Sequence, residues 1–366
     1  MKSSSLFAAV ALFVTPAFAQ SNADLEAKIE AMAAELESLQ LQDVMPAVGE
    51  SKFGLGPAAS KVYSKEQGLS IGGYGEGRYR DDSANDFDWY RHIMYFGYKF
   101  NDNWVLNTEI EVEHVKEIYV EFAYLDYLGL TENMNLRMGL MLNPMGLINE
   151  YHEPTTYLAA NRPQTESVVI PSTWRENGIG VFGESGGFDY KLYYMNGLDG
   201  SGFSDTSLRG GRQKGAEALA EDWAMVASAN YVDIPGVRIG ASIYSGDSGQ
   251  NQGGGDMSTD IMEFHAEYKS GPWWARAMTA DAEVTNRDAG DINLTGTYYE
   301  LGYNLMDGGD SALYPFVRVE EIEVSDGSTS DFTTFGVHYR PIDQICIKID
   351  KCDEIDRTSF VIGYVF

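Results

Sequence analysis

Three glutamates recur at every second position of the stretch WVLNTEIEVEH, namely Glu109, Glu111 and Glu113. In an extended strand alternate residues share a face, so these carboxylates line one surface. Trp104, Leu106, Thr108, Ile110 and Val112 then take the other. The same parity elsewhere puts cations such as Arg91, Arg137 and Arg318 on the polar face, together with an equal number of acidic residues. Rows of fixed charge attract and pass ions of opposite sign. Here the signs balance, with a local cation preference along the glutamate row, so the choice between anions and cations stays open. Catalysis has weaker support. His92, His114, His152, His265 and His338 stand singly, without an i, i+4 pair or an HExxH motif. His152, beside Glu150 and Glu153, reads as a hydrogen-bonding loop histidine. Neither an enzyme nor a cofactor or metal site is expected.

The chain begins MKSSSLFAAVALFVTPAFAQ, with Lys2, an apolar run Leu6–Val14 and the triplet Ala17-Phe18-Ala19. That pattern is a secretory signal peptide, 1–19, cut before Gln20. The apolar run is too short for a membrane anchor, and no later run reaches the length of a spanning helix. Any membrane span must therefore be built from strands. A net charge of -29 argues against nucleic acid as a partner. Cys346 and Cys352 form no disulfide framework, and their pairing is open.

From Asp24 to Gln42 the period is helical. Leu25, Ile29, Met32, Leu36 and Leu39 are spaced as a heptad seam. The segment 20–45 is thus either a short coiled coil or an amphipathic helix docked on its own domain. Pro46, Gly49, Gly54, Gly56 and Pro57 suggest a flexible linker over 46–68.

Beyond residue 69 the period becomes two. About sixteen alternating segments begin near residues 69, 87, 103, 117, 133, 177, 187, 221, 236, 260, 273, 294, 312, 331, 343 and 357. Every second joint is a tight turn, such as FNDN, GLTEN, ESGG or DIPG, and the joints between them are mostly longer. Loops sorted by parity predict an all-β, antiparallel transmembrane barrel over 69–366. Its last strand, RTSFVIGYVF, would close against LSIGGYGEGRYR. Phe360, Ile362, Tyr364 and Phe366 would then face outer-membrane lipid and serve the barrel-assembly machinery as an insertion signal.

About sixteen strands leave an aqueous channel. The longest loop, 143–176, is rich in apolar and aromatic residues and contains Glu150, His152, Arg162, Glu166 and Arg175. Either it folds into the lumen as a constriction, or it caps the outside or packs on a neighbouring subunit. The motifs LRMGLMLNPMGL, PSTWRENGIGVFG, GGFDYKLYYMNG and VHYRPIDQICIKID, spread over Ile71 to Phe366, resemble the phosphate-selective porin O and P family. The resemblance implies a homotrimer of sixteen-stranded barrels, an inward third loop and a channel lined by basic residues. A trimer would give the short heptad its reason, and related dicarboxylate porins are similar in carrying such a coiled coil. The expectation is a Gram-negative outer-membrane porin for small hydrophilic solutes, with its helix in the periplasm. The alternative is a barrel-anchored tether or receptor with a closed pore.

Overall fold

The structure, a computed structural model, describes residues 27–33, 51–82 and 85–366. Residues 27–33 belong to a separate unit and are α-helical, with Ile29 and Met32 exposed. The rest of the expected seam (Leu25, Leu36 and Leu39) and the expected signal peptide lie outside the described residues.

Sixteen strands follow in the second unit. They begin with β1 (Gly68–Asp81), β2 (Asp86–Lys99), β3 (Trp104–Glu113), β4 (Glu117–Thr131), β5 (Met134–Leu142) and β6 (Arg175–Ser185). Next come β7 (Phe188–Asn196), β8 (Trp223–Tyr231), β9 (Val237–Asp247), β10 (Ser258–Ser270) and β11 (Trp273–Thr285). The last are β12 (Ile292–Tyr303), β13 (Ala312–Glu323), β14 (Thr329–Ile342), β15 (Ile345–Cys352) and β16 (Arg357–Val365). Each strand pairs antiparallel with its sequence neighbours, and β16 pairs with β1 to close the barrel. Tyr74 faces Val365 across that seam, and Gly73 and Phe366 exchange two backbone hydrogen bonds of 3.0 and 2.9 Å. No sheet edge is left to satisfy within this seam.

Burial is inverted relative to an ordinary domain. Ile243, Phe264, Tyr299 and Ile349 are more than half exposed on the outer face, at 51, 53, 60 and 52%. Their charged counterparts on the inner face, among them Glu109, Arg137, Glu263 and Lys348, are buried. Phe360, Ile362, Tyr364 and Phe366 lie on the outer side of β16, with Val361 and Val365 buried between them. Aromatic pairs gather outside the short-turn rim: Tyr98–Phe100, Trp104–Tyr127, Phe188–Tyr231, Trp273–Tyr303 and Tyr364–Phe366. Such rings favour the boundary between hydrocarbon and water.

One expected region differs. Residues 51–67 do not run as a linker. Leu55, Ala58, Ala59, Val62 and Tyr63 are buried against the inner wall, with a 3-10 helix at Lys61–Ser64. Small residues make the close approach feasible: a Cβ on Gly97 would collide with Val62. The cysteines are both free and buried, on the inner face of β15.

An apolar band of this kind is stable only against lipid or detergent. Ile243→Arg should therefore cost about 2–4 kcal/mol in urea unfolding of the bilayer-inserted protein, whereas Ile355→Arg, in the turn after β15, should cost under about 1 kcal/mol.

Candidate functional site

Residues 143–174, between β5 and β6, run through the lumen. The loop is shorter by two residues than its sequence suggested, because Arg175 and Glu176 begin β6. Leu147, Ile148, Leu158, Ile170 and Trp174 are fully buried, which explains its apolar content. The contacts that hold its backbone come mostly from charged side chains on the wall. Arg91 on β2 donates to the His152 carbonyl at 3.3 Å, and Arg276 on β11 to that of Thr156. Arg318 on β13 donates to the Asn161 carbonyl at 3.1 Å, and Lys348 on β15 to that of Ala159 at 3.0 Å. Carboxylates serve the N–H groups: Asp350 accepts from Ala160, and Glu320 from Gln164, both at 2.5 Å. Backbone taken away from water must find such partners.

Side chains of the loop are tied in the same way. Glu150 pairs with Lys191 of β7 at 2.6 Å. His152 donates from Nδ1 to the Asn149 carbonyl (2.8 Å), and its Nε2 sits 3.4 Å from Glu109. Tyr151 accepts a 2.6 Å hydrogen bond from Arg238 of β9. Glu166 accepts from the Tyr298 hydroxyl at 2.7 Å and the Ile148 N–H at 2.6 Å. Burial raises the Glu150 carboxyl above its usual range, and pushes Glu153 up to about 8 and Glu166 up to about 7.

These ties correct part of the site expected from the sequence. Arg137 is locked to Asp126 at 2.8 Å and covered by the rings of Tyr124 and Phe182. Arg318 is held by Glu320 at 2.7 Å as well as by the loop. Arg175 pairs with Glu121 at 2.7 Å. All three guanidinium groups are buried in structural pairs rather than presented to a solute. Glu109 and Glu111 are buried too, and Glu113, farther along β3, is only partly covered.

Two cavities lie toward opposite ends of the barrel. One, of about 280 Å³ near the long-loop end, is lined by five arginines: Arg78, Arg91, Arg162, Arg209 and Arg357. Its single lining carboxylate, Glu76, is already bound by Arg91 at 2.8 Å. Arg78 and Arg357 each keep an Nε atom without a hydrogen-bond partner. The other cavity, of about 400 Å³ at the short-turn end, has mixed charge, with Arg238, Lys269, Arg276 and Arg340 near Glu267 and Asp343. Loop residues Tyr157, Asn161 and Arg162 face the first cavity, and Tyr151, Thr155 and Thr156 the second.

Sequence reasoning missed the β7–β8 loop, 197–222, as part of this site. It too turns inward: Leu208 donates its N–H to the Val168 carbonyl at 3.2 Å, and Arg212 donates to that of Thr173 at 2.6 Å. Burial, then repulsion from Arg209, pulls the Arg212 guanidinium down to about 9. The available signal was RGGRQK, three cations within six residues of a very acidic chain.

Several known proteins share this architecture. No family model matches the chain. The OmpF porin of Salmonella typhi, solved with daunomycin, superposes with a TM-score of 0.59 at 13% identity, over 82% of this chain and 98% of that one. The anion-selective porin from Comamonas acidovorans gives 0.54 at 12% identity, over 82% of this chain and 100% of that one. The outer membrane channel DcaP of Acinetobacter baumannii gives 0.51 at 11%, over 81% of this chain and 97% of that one. At these identities the likeness establishes the fold, a closed sixteen-stranded porin barrel. An uncharacterized protein of Aquifex aeolicus is 33% identical over 362 residues, covering 86% of this chain and 82% of the relative. The chain therefore belongs to the same family as that Aquifex aeolicus protein, a family of porin-fold barrels.

Proposed function

We propose that the protein is an outer-membrane porin passing small hydrophilic solutes, with a preference for anions such as phosphate. It acts without catalysis. The observation that carries the preference is the arginine-lined cavity at the long-loop end. Wall charges elsewhere neutralise one another or hold the inner loop, as Arg91 does, whereas Arg78, Arg162, Arg209 and Arg357 are only partly covered beside the cavity. Arginine presents a planar fork of donors that suits phosphate and carboxylate oxygens. Arg162 and Arg209 come from the two inward loops, so a solute meets them where the lumen narrows. The anion-selective Comamonas acidovorans porin, similar in fold, lends the reading support.

In this reading residues 1–19 direct export, and the barrel-assembly machinery reads the outer residues of β16. The exposed Ile29 and Met32 form part of a periplasmic seam that joins three copies. A closed barrel serving as a tether is the second reading, favoured by how much of the lumen the inner loop and residues 51–67 fill. Planar-bilayer recording separates the two. Conductance in steps of three with a reversal potential on the anion side, reduced by added phosphate, is expected of the porin. Silence would favour the tether, and a reversal potential on the cation side would end the anion reading.

Exchanging Arg162→Glu together with Arg209→Glu should move the reversal potential to the cation side while leaving the folded barrel intact. Raising pH from about 6 to about 9 should weaken anion preference in the native channel. Carboxyls with raised values are neutral below them and charged above, so Glu166 and then Glu153 add negative charge. Reversal potentials recorded across that range check the sign. Deleting residues 24–42 should lower trimer yield on native gels without preventing membrane insertion.

A further inference from the structure

Residues 51–67 leave the short-turn rim, climb the inner wall and reach the inner loop at mid-lumen. At the rim, Lys99 donates to the Lys65 carbonyl at 2.7 Å and Gln67 to that of Phe100 at 3.1 Å. Farther up, Tyr63 donates to Asp126 at 2.7 Å and accepts from Arg137 at 3.0 Å. At the top, Ala58 and Ala59 give their N–H groups to the Glu153 carboxylate at 2.9 and 3.1 Å. Asn107 on β3 completes the grip by donating to the Ala59 carbonyl at 2.9 Å. Phe53 packs edge-on against both Tyr63 and Phe182, 4.9 and 5.2 Å between ring centres.

The wall is shaped to receive this segment. Gly97 leaves room for Val62, and a Cβ on Gly72 would meet the Lys61 side chain at 2.9 Å and the Ala58 carbonyl at 3.1 Å. Gly56, in turn, makes room for the Glu153 carboxylate. Ser51 and Pro57 line the short-turn cavity. The segment therefore takes up lumen volume, bounds the exit chamber and clamps the inner loop, all at once.

We propose that residues 51–60 are an internal strap that forms a second constriction, setting the bore on the exit side of the inner loop. The proposal rests on the channel reading. A solute leaving the arginine-lined cavity passes the loop and then the strap. Both are held by Glu153, so the two constrictions are coupled through one carboxyl.

Two variants test this in the full chain: deletion of residues 52–60, and Gly97→Val, whose side chain takes the place of Val62. Each should raise single-channel conductance by about twofold or more and admit larger sugars in liposome swelling. A conducting native protein with both variants unchanged, and still running as folded barrels, would overturn the strap while sparing the porin. Silence from all three would sink both ideas. Conduction by the variants alone would make the strap a plug. A separate readout does not depend on current. In a Cys346→Ser, Cys352→Ser background, Asn107→Cys should resist a hydrophilic maleimide when the strap is intact and react readily after the deletion. Equal labelling in both would refute the seating of the strap.

Discussion

A loop threaded through the interior of a barrel brings a backbone whose N–H and C=O groups have lost water. Each must be matched or the loop will not stay. In this protein much of the match comes from charged side chains pointing inward from β2, β11, β13 and β15, with arginine and lysine serving carbonyls and carboxylates serving amides. That requirement organises the interior. It accounts for acidic and basic residues standing side by side on the inner face, for guanidinium groups that are buried yet paired, and for strands that look charged without producing a one-sign field. Charges left over from this task are free to act on a solute; at the long-loop end they are arginines, and at the short-turn end both signs occur.

Burial of ions such as Arg137, Arg175, Lys191 and Arg318 is tolerable because each is paired with a carboxylate. Removing one partner would strand the other in a poorly hydrated lumen. The outer face makes no comparable demand. It needs only apolar side chains at alternate positions, and it has them from β1 round to β16. The barrel thus solves two unlike problems with one alternating pattern, a permissive outside and a heavily specified inside.

The alternation was legible in the sequence to within two residues at strand starts, as at Trp223 for an expected 221 and Ser258 for an expected 260. Period two is a local signal, repeated at every strand, so it survives without knowledge of the partners. The roles of individual charges were not legible in this way. Arg137 and Arg318 have the right parity to face a channel, but parity says only which side a residue takes, not whether a carboxylate already holds it. The strap was hidden for a different reason. Gly54, Gly56, Pro57 and two alanines carry the composition of a solvated connector, and the glutamate that grips them lies 95 residues away in Ala58's case. Small residues allow close packing and free movement equally, and only the partner distinguishes the two. The β7–β8 loop escaped notice because its cations sit among glycines and serines typical of an outer loop.

The aromatic pairs are distributed unevenly, with five at the short-turn rim. Rings that prefer the water–lipid boundary act like a painted waterline on a hull. The depth at which the cylinder floats is set from beneath, by side chains far from the surface that meets the outside world. Lengthening, shortening or recharging the upper loops would consequently leave the vessel's draught unchanged.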